Sequence, residues 1–169
     1  MVVYLGNKRA GDGTLDSDLM NFLKAEGNVT IPYGVTKIRT SIFSSMPNLT
    51  SVKISNSVTT IEEDGFTGSQ NITSVDFGTS VTYIGKQAFA NCNRITTVVF
   101  SPVLKTIDQG AFFLCTSLTS VTIPNSVTKM DGYVFLGCSN LKEIKIDNIE
   151  NSISGAPWGA PNATVTWLR

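Results

Sequence analysis

A valine recurs every 23 residues in this chain: Val29, Val52, Val75, Val98 and Val121, with Ile144 at the next step. No insertion or deletion disturbs the count. A fixed period of this length describes a solenoid, in which each repeat forms one coil resting on the next. A single repeat cannot bury its apolar side alone, whereas a stack can. The spacing says much about shape and little about what the protein binds.

We number each repeat from its valine. Position 3 holds Ile31, Ile54, Phe77, Phe100, Ile123 and Ile146; position 7 holds Val35, Val58, Val81, Leu104 and Val127. Position 10 holds Ile38, Ile61, Ile84, Ile107 and Met130, and position 15 is phenylalanine throughout, at Phe43, Phe66, Phe89, Phe112 and Phe135. Position 18 runs Met46, Ser69, Cys92, Cys115, Cys138, and position 21 runs Leu49, Ile72, Ile95, Leu118, Leu141. Positions 1 and 3 alternate with polar neighbours, the period of a short strand with one face buried. Positions 7 and 10 lie in a second extended segment, and turn residues (Pro32, Asn56, Gly78, Pro102, Pro124) separate the two. Stacked coils then place equal positions about 4.8 Å apart.

The 169 residues make one domain by length. Within it, residues 1–28 read as an N-terminal cap, 29–143 as five repeats, and 144–169 as a partial sixth repeat and C-terminal cap. Caps are needed because an uncovered solenoid end exposes its core. Residues 14–26 predict a short capping helix, with Leu15, Leu19, Phe22 and Leu23 on one face and Gly27 as its stop. Residues 163–167 predict a closing strand, and Trp158 and Trp167 are expected to seal that end.

Basic and acidic residues number 13 each, so the net charge is zero. That argues against a nucleic-acid partner, which demands a basic excess. The chain contains no histidine, which removes Ser-His-Asp and Cys-His catalysis and most zinc sites. No apolar run approaches the roughly 18 residues of a membrane span, so no membrane insertion is expected. The first residues lack the pattern of a signal peptide.

The segment Leu118–Thr128, with Val121, Ile123, Pro124 and Val127, matches a leucine-rich-repeat strand motif. The third repeat continues as Ile84-Gly85, Ala88-Phe89 and Cys92. Together these resemble the BspA-type leucine-rich repeat over about residues 29–146. Repeats one and two depart from it at Met46 and Ser69, in place of Cys, and at Ile42 and Gly65, in place of Ala. The resemblance implies an α/β-type, strand-dominated, right-handed coil. Its parallel sheet would be concave, with short strands or turns on the convex side. It also implies a bacterial surface or secreted protein that adheres to host matrix proteins, to cells or to other bacteria, with no catalytic residues and no cofactor.

The concave face should present position 2 and the residues just before position 1. The candidate binding residues are Thr50, Lys53, Thr73, Asp76, Thr96, Val99, Thr119 and Thr122. Hydroxyl rows could hydrogen-bond a glycan or an extended peptide; the plainer reading is that Thr suits an exposed strand. Cys92, Cys115 and Cys138 share one inward position, which favours buried free thiols over a zinc set or a disulfide. Asp12, Asp16 and Asp18 lack the order of a calcium loop. Glu62-Glu63-Asp64 reads as a solvated turn. Four Asn-x-Thr triplets begin at Asn28, Asn48, Asn71 and Asn162, two of them products of the repeat itself.

Tyr33, Tyr83, Tyr133 and Phe113 fall outside the core positions and are expected to be exposed, as a contact patch. The leading function is a non-enzymatic adhesion module binding through the concave sheet. A structural spacer within a larger surface protein is the alternative. An enzyme, which would need facing carboxylates in a pocket, comes third.

Overall fold

The computed structural model describes residues 27–150 and 152–169. The predicted capping helix and the Asp12, Asp16 and Asp18 group lie outside them. Among the described residues there is no helix, and so none that is long and apolar enough to cross a membrane. The chain winds as a parallel β-solenoid.

Each coil contributes one strand from positions near 1 and one from positions 9 and 10. The first set is β1 (Asn28–Thr30), β3 (Ser51–Lys53), β5 (Ser74–Asp76), β7 (Thr97–Val98), β9 (Ser120–Ile123) and β11 (Glu143–Ile146). The second set is β2 (Lys37–Ile38), β4 (Thr60–Ile61), β6 (Tyr83–Ile84), β8 (Thr106–Ile107) and β10 (Lys129–Met130). A last strand, β12 (Thr164–Trp167), pairs parallel with β11. The register repeats the sequence period: Val29 lies beside Val52, Val52 beside Val75, and Val98 beside Val121. In the final coil the partner of Ile144 is Val165, so the last return is 21 residues rather than 23.

The repeating apolar positions all turn inward and stack into one core. The phenylalanines of position 15 form a continuous column. Phe43, Phe66, Phe89, Phe112 and Phe135 follow one another at centroid spacings of 5.0, 4.9, 5.4 and 6.0 Å, with every neighbouring pair stacked. Burying each ring stabilises the fold by about 1.5–3 kcal/mol, and each stacked pair adds about 0.5–1.5 kcal/mol. Phe77 and Phe100 meet this column edge-on, at 5.4 Å from Phe89 and 5.7 Å from Phe112.

Position 18 has a second role besides filling space. The thiols of Cys92, Cys115 and Cys138 donate to the carbonyls of Phe66, Phe89 and Phe112 in the preceding coil, at 3.3, 3.2 and 3.1 Å. Ser69 does the same to Phe43 at 2.7 Å. The serine therefore replaces cysteine without losing the donor. All three cysteines are free and buried. Burial pushes the Cys92 thiol up to about 12. Contact with Cys138 and burial push Cys115 well above its ordinary value.

In each of the five repeats the backbone passes through the left-handed region at two fixed positions. At position 13 these residues are Ser41, Asp64, Gln87, Gly110 and Tyr133, with φ between 53° and 64°. At position 17 they are Ser45, Gly68, Asn91, Leu114 and Gly137, with φ between 53° and 80°. Glycine, serine, asparagine and aspartate occupy such turns readily; leucine and tyrosine do so against their steric preference. Trp158 closes the C-terminal end: it is buried, its carbonyl accepts from Phe135 N–H at 2.9 Å, and its indole donates to Ser154. Trp167 seals less, being half-buried on the last strand.

Candidate functional site

All eight candidate residues of the concave sheet are exposed. Alternation across a strand explains this, since their neighbours Val52, Val75, Val98 and Val121 point into the core. The threonine hydroxyls are not all available, however. Thr50 donates to Gly27 O at 2.7 Å, Thr73 to Thr50 O at 3.1 Å and Thr119 to Thr96 O at 3.4 Å. These hydroxyls tie successive coils together, so the row is partly structural. A hydroxyl that already donates can still accept, which narrows what it offers to a ligand.

The row is interrupted between the third and fourth coils. Thr73 N–H bonds Thr50 O at 2.8 Å and Thr119 N–H bonds Thr96 O at 3.3 Å, but no such bond joins Thr96 N–H to Thr73 O. The sheet itself divides there. β1, β3 and β5 form one part and β7, β9, β11 and β12 the other, joined by a single bridge between Asp76 and Val99. The seam falls where Phe77 and Phe100 replace isoleucine at position 3. Their rings lie 5.7 Å apart and tilted by 48°, wider than the roughly 4.8 Å that strand pairing sets. The break in the sheet coincides with these two inner phenylalanines.

On the outer surface of the seam stands Val99, 76% exposed. At the same position the other coils carry Thr30, Lys53, Asp76, Thr122 and Lys145. Asp76 sits beside Val99 with its Oδ1 accepting from Gly78 N–H at 2.9 Å. Lys53 lies one coil further. A depression of about 550 Å³ covers this region and is lined by Ser51, Lys53, Ser74, Asp76 and Val99 among others. No aromatic side chain lines it.

The expected exposed aromatic patch is corrected by the structure. Tyr33 and Tyr133 are exposed, at 79% and 58%. Tyr83 and Phe113 are half-buried. Tyr83 lies on β6 and its hydroxyl donates to Asp108 Oδ2 at 2.7 Å; that bond, with burial, raises its pKa to about 12. The acidic run of the second coil is a bonded turn: Glu62 accepts from Thr40 N–H at 3.2 Å and Glu63 pairs with Lys86 at 3.3 Å. Two of the Asn-x-Thr asparagines also serve the stack. Asn28 Oδ1 accepts from Ser51 Oγ at 2.6 Å, and Asn71 Nδ2 donates to Pro47 O at 2.7 Å.

Sequence reasoning missed a carboxyl pair. Asp108 and Asp131 occupy position 11 of adjacent coils and perturb each other's titration. Burial works to raise Asp108, but Asp131 and the bonds from Tyr83 and Gln109 N–H outweigh it and hold its carboxyl below the ordinary value. Asp108 in turn raises Asp131, which also pairs with Lys129 at 3.2 Å. The shared position in a 23-residue period was the available signal. Two acids near the C-terminal end pair with basic residues instead: Glu143 with Lys145 at 3.0 Å and Asp147 with Arg169 at 2.8 Å. Among the described residues no group of three or more acidic or cysteine side chains is arranged to hold a metal.

Comparison with known proteins agrees with this geometry. A leucine-rich repeat protein of T. pallidum has a similar structure, with a TM-score of 0.75 and 25% identity over 84% of this chain and 69% of that one. A leucine-rich repeat protein from Bacteroides ovatus matches with a TM-score of 0.67 and 23% identity over 84% of this chain and 42% of that one. One from Eubacterium ventriosum matches at 0.63 and 24%, over 72% and 32%. The chain thus spans less than half the length of the last two. No match was found among curated protein sequences. The model for the BspA type leucine rich repeat region matches residues 23–142 in six copies. With the 23-residue register, the phenylalanine column and the parallel coils, this shows that the chain belongs to the BspA-type leucine-rich repeat family.

Proposed function

We propose that this chain is a non-enzymatic protein-interaction module of a bacterial surface or secreted protein, and that it binds through the concave sheet. The observation that carries this reading is the seam at Val99. An aliphatic side chain is displayed to solvent beside Asp76 and near Lys53, over a shallow depression of about 550 Å³. A displayed apolar residue with opposite charges around it matches the anatomy of a protein interface, whose apolar centre has a polar rim. A glycan is less well served. The face lacks an aromatic platform, and three of its threonine hydroxyls already donate within the stack.

The test is binding of the purified domain to a panel of matrix proteins and glycans at physiological salt. The reading expects a saturable protein hit that weakens at least about tenfold in a Lys53→Ala, Asp76→Ala, Val99→Ser variant. A hit indifferent to that variant places the site elsewhere. A blank across the panel favours a structural spacer. The bonding of Thr50, Thr73 and Thr119 between coils also favours that second reading.

A further inference from the structure

The outer turns, positions 12 to 17, change character along the stack. In the first three coils position 13 is Ser41, Asp64 and Gln87; in the fourth and fifth it is Gly110 and Tyr133. Position 16 is Ser44, Thr67 and Ala90, then Phe113 and Leu136. The same backbone is therefore polar at one end and apolar at the other.

Stability of the turn does not account for the change. Position 13 is left-handed in every coil, a conformation that Gly and Asp accept most readily, that Ser41 and Gln87 also hold, and that a bulky aromatic resists most. Tyr133 holds it at φ 64° and still exposes 58% of its surface. Leu136 beside it is 39% exposed. Two local preferences are broken at one place, where neither burial nor backbone comfort gains. Such conflicts concentrate at functional positions.

Gly110 converts this strip into a notch. It stands between Gln87 and Tyr133 in the position-13 row, where a side chain would otherwise fill the space. The notch has a volume of about 210 Å³, with Phe113, Tyr133 and Leu136 as its apolar walls. Pockets for small-molecule ligands run from about 300 to 1,000 Å³. This one suits a single large side chain instead. Gln87 and Gln109 line the same notch and can both donate to and accept from a main chain laid across it. The charged residue of the lining is Lys86, whose pairing with Glu63 is half-exposed on both sides and so readily exchanged.

We propose that this notch docks a protein segment that inserts one large aliphatic or aromatic side chain next to an acidic residue. The apolar side chain enters between Phe113, Tyr133 and Leu136, and the acid takes Lys86 from Glu63. The surface is independent of the concave seam: none of its residues lies on the sheet that bears Val99.

The experiment selects displayed random dodecapeptides on the wild-type domain. It then compares their binding to a variant carrying residues of the first two coils at the notch: Phe113→Thr, Tyr133→Asp and Leu136→Ser. A Lys86→Glu variant is tested in parallel, and covers the case in which the triple variant fails to fold. Three results support the proposal: enriched peptides share an apolar-acidic pair, they lose at least about tenfold in affinity on the triple variant, and K86E prefers the peptide with lysine in place of the acid. Two results overturn it. One is that peptides lack the pair or bind K86E as well as wild type. The other is that sedimentation equilibrium shows the wild-type domain self-associating and K86E not, which makes a second copy the occupant. Binding of the same peptides to the Lys53, Asp76 and Val99 variant separates this result from the concave reading.

Discussion

The first three coils and the next two are built on one plan inside and on two plans outside. Inside, position 15 is phenylalanine in all five, and position 18 of coils two to five donates to the carbonyl of the phenylalanine in the previous coil. Outside, the turns pass from Ser41, Ser44, Asp64 and Thr67 to Phe113, Tyr133 and Leu136. The concave sheet divides at the same boundary, between β5 and β7. An inward residue packs against its own equivalents above and below, so a change in one coil strains two others. An outward residue meets solvent or a partner and is free to differ. The repeat therefore holds most closely inside, where the one large departure, Phe77 and Phe100 for isoleucine, coincides with the seam, and it is loosest on the outer turns.

This contrast can be broken at several levels. The largest effect is expected from Phe89→Ala, which removes a ring stacked on both Phe66 and Phe112 and met edge-on by Phe77. A loss of about 3–5 kcal/mol in urea unfolding is expected. Phe43→Ala, with one stacked neighbour, should cost less. Equal costs would mean the column is not the unit of stability.

Next comes the thiol column. Cys115→Ala removes the donor to Phe89 O and should cost about 1 kcal/mol, whereas Cys115→Ser should cost less, because Ser69 makes the equivalent bond. Equal losses in urea unfolding would show that volume, not donation, matters there.

Outside, Tyr133→Asn should leave stability unchanged or raise it by up to about 1 kcal/mol, since asparagine tolerates a left-handed backbone better. A clear loss would give Tyr133 a structural role and weaken the notch as an interaction surface. On the concave face, Thr73→Val should cost a few tenths to about 1 kcal/mol through its bond to Thr50 O. Thr96→Val, at the seam, should be neutral, because no hydroxyl bond from Thr96 crosses it. Matching losses would mean the seam is closed in solution.

The smallest effect concerns pH. Asp131 has its folded pKa raised by Asp108, so the fold favours its protonated form. The cost of its charge appears as pH rises through its unfolded value, near 3.9, toward the higher folded one. Asp108 has its folded value lowered, and its contribution is lost as pH falls through that value. Asp131→Asn should therefore raise the melting temperature slightly at pH 7, by less than about 2 °C, with no gain near pH 3. A gain that persists at low pH would point to packing instead of charge.

The coils were legible in the sequence because each inward residue recurs at the same step. Val52 and Val75 announce paired strands, and Phe66 and Phe89 announce stacked rings, since equal positions must lie one above another. The exposure of Thr73, Asp76 and Thr122 followed from alternation within a strand. The seam was not legible. The run from Thr96 to Val98 looks like that from Thr119 to Val121, and only the folded chain shows the break beside the tilted rings of Phe77 and Phe100. Tyr83 looked like a surface aromatic because its partner, Asp108, is 25 residues away and belongs to another coil.

The 23-residue period alone determined the solenoid, its register and its core, because parallel stacking at one step permits a single arrangement of equal positions. The tertiary structure decided which threonine hydroxyls are spent between coils, where the sheet parts, and that Gly110 opens a notch beside Tyr133. Those outcomes depend on side-chain volume and hydrogen-bond direction between neighbouring coils, which a repeat written one residue at a time does not contain.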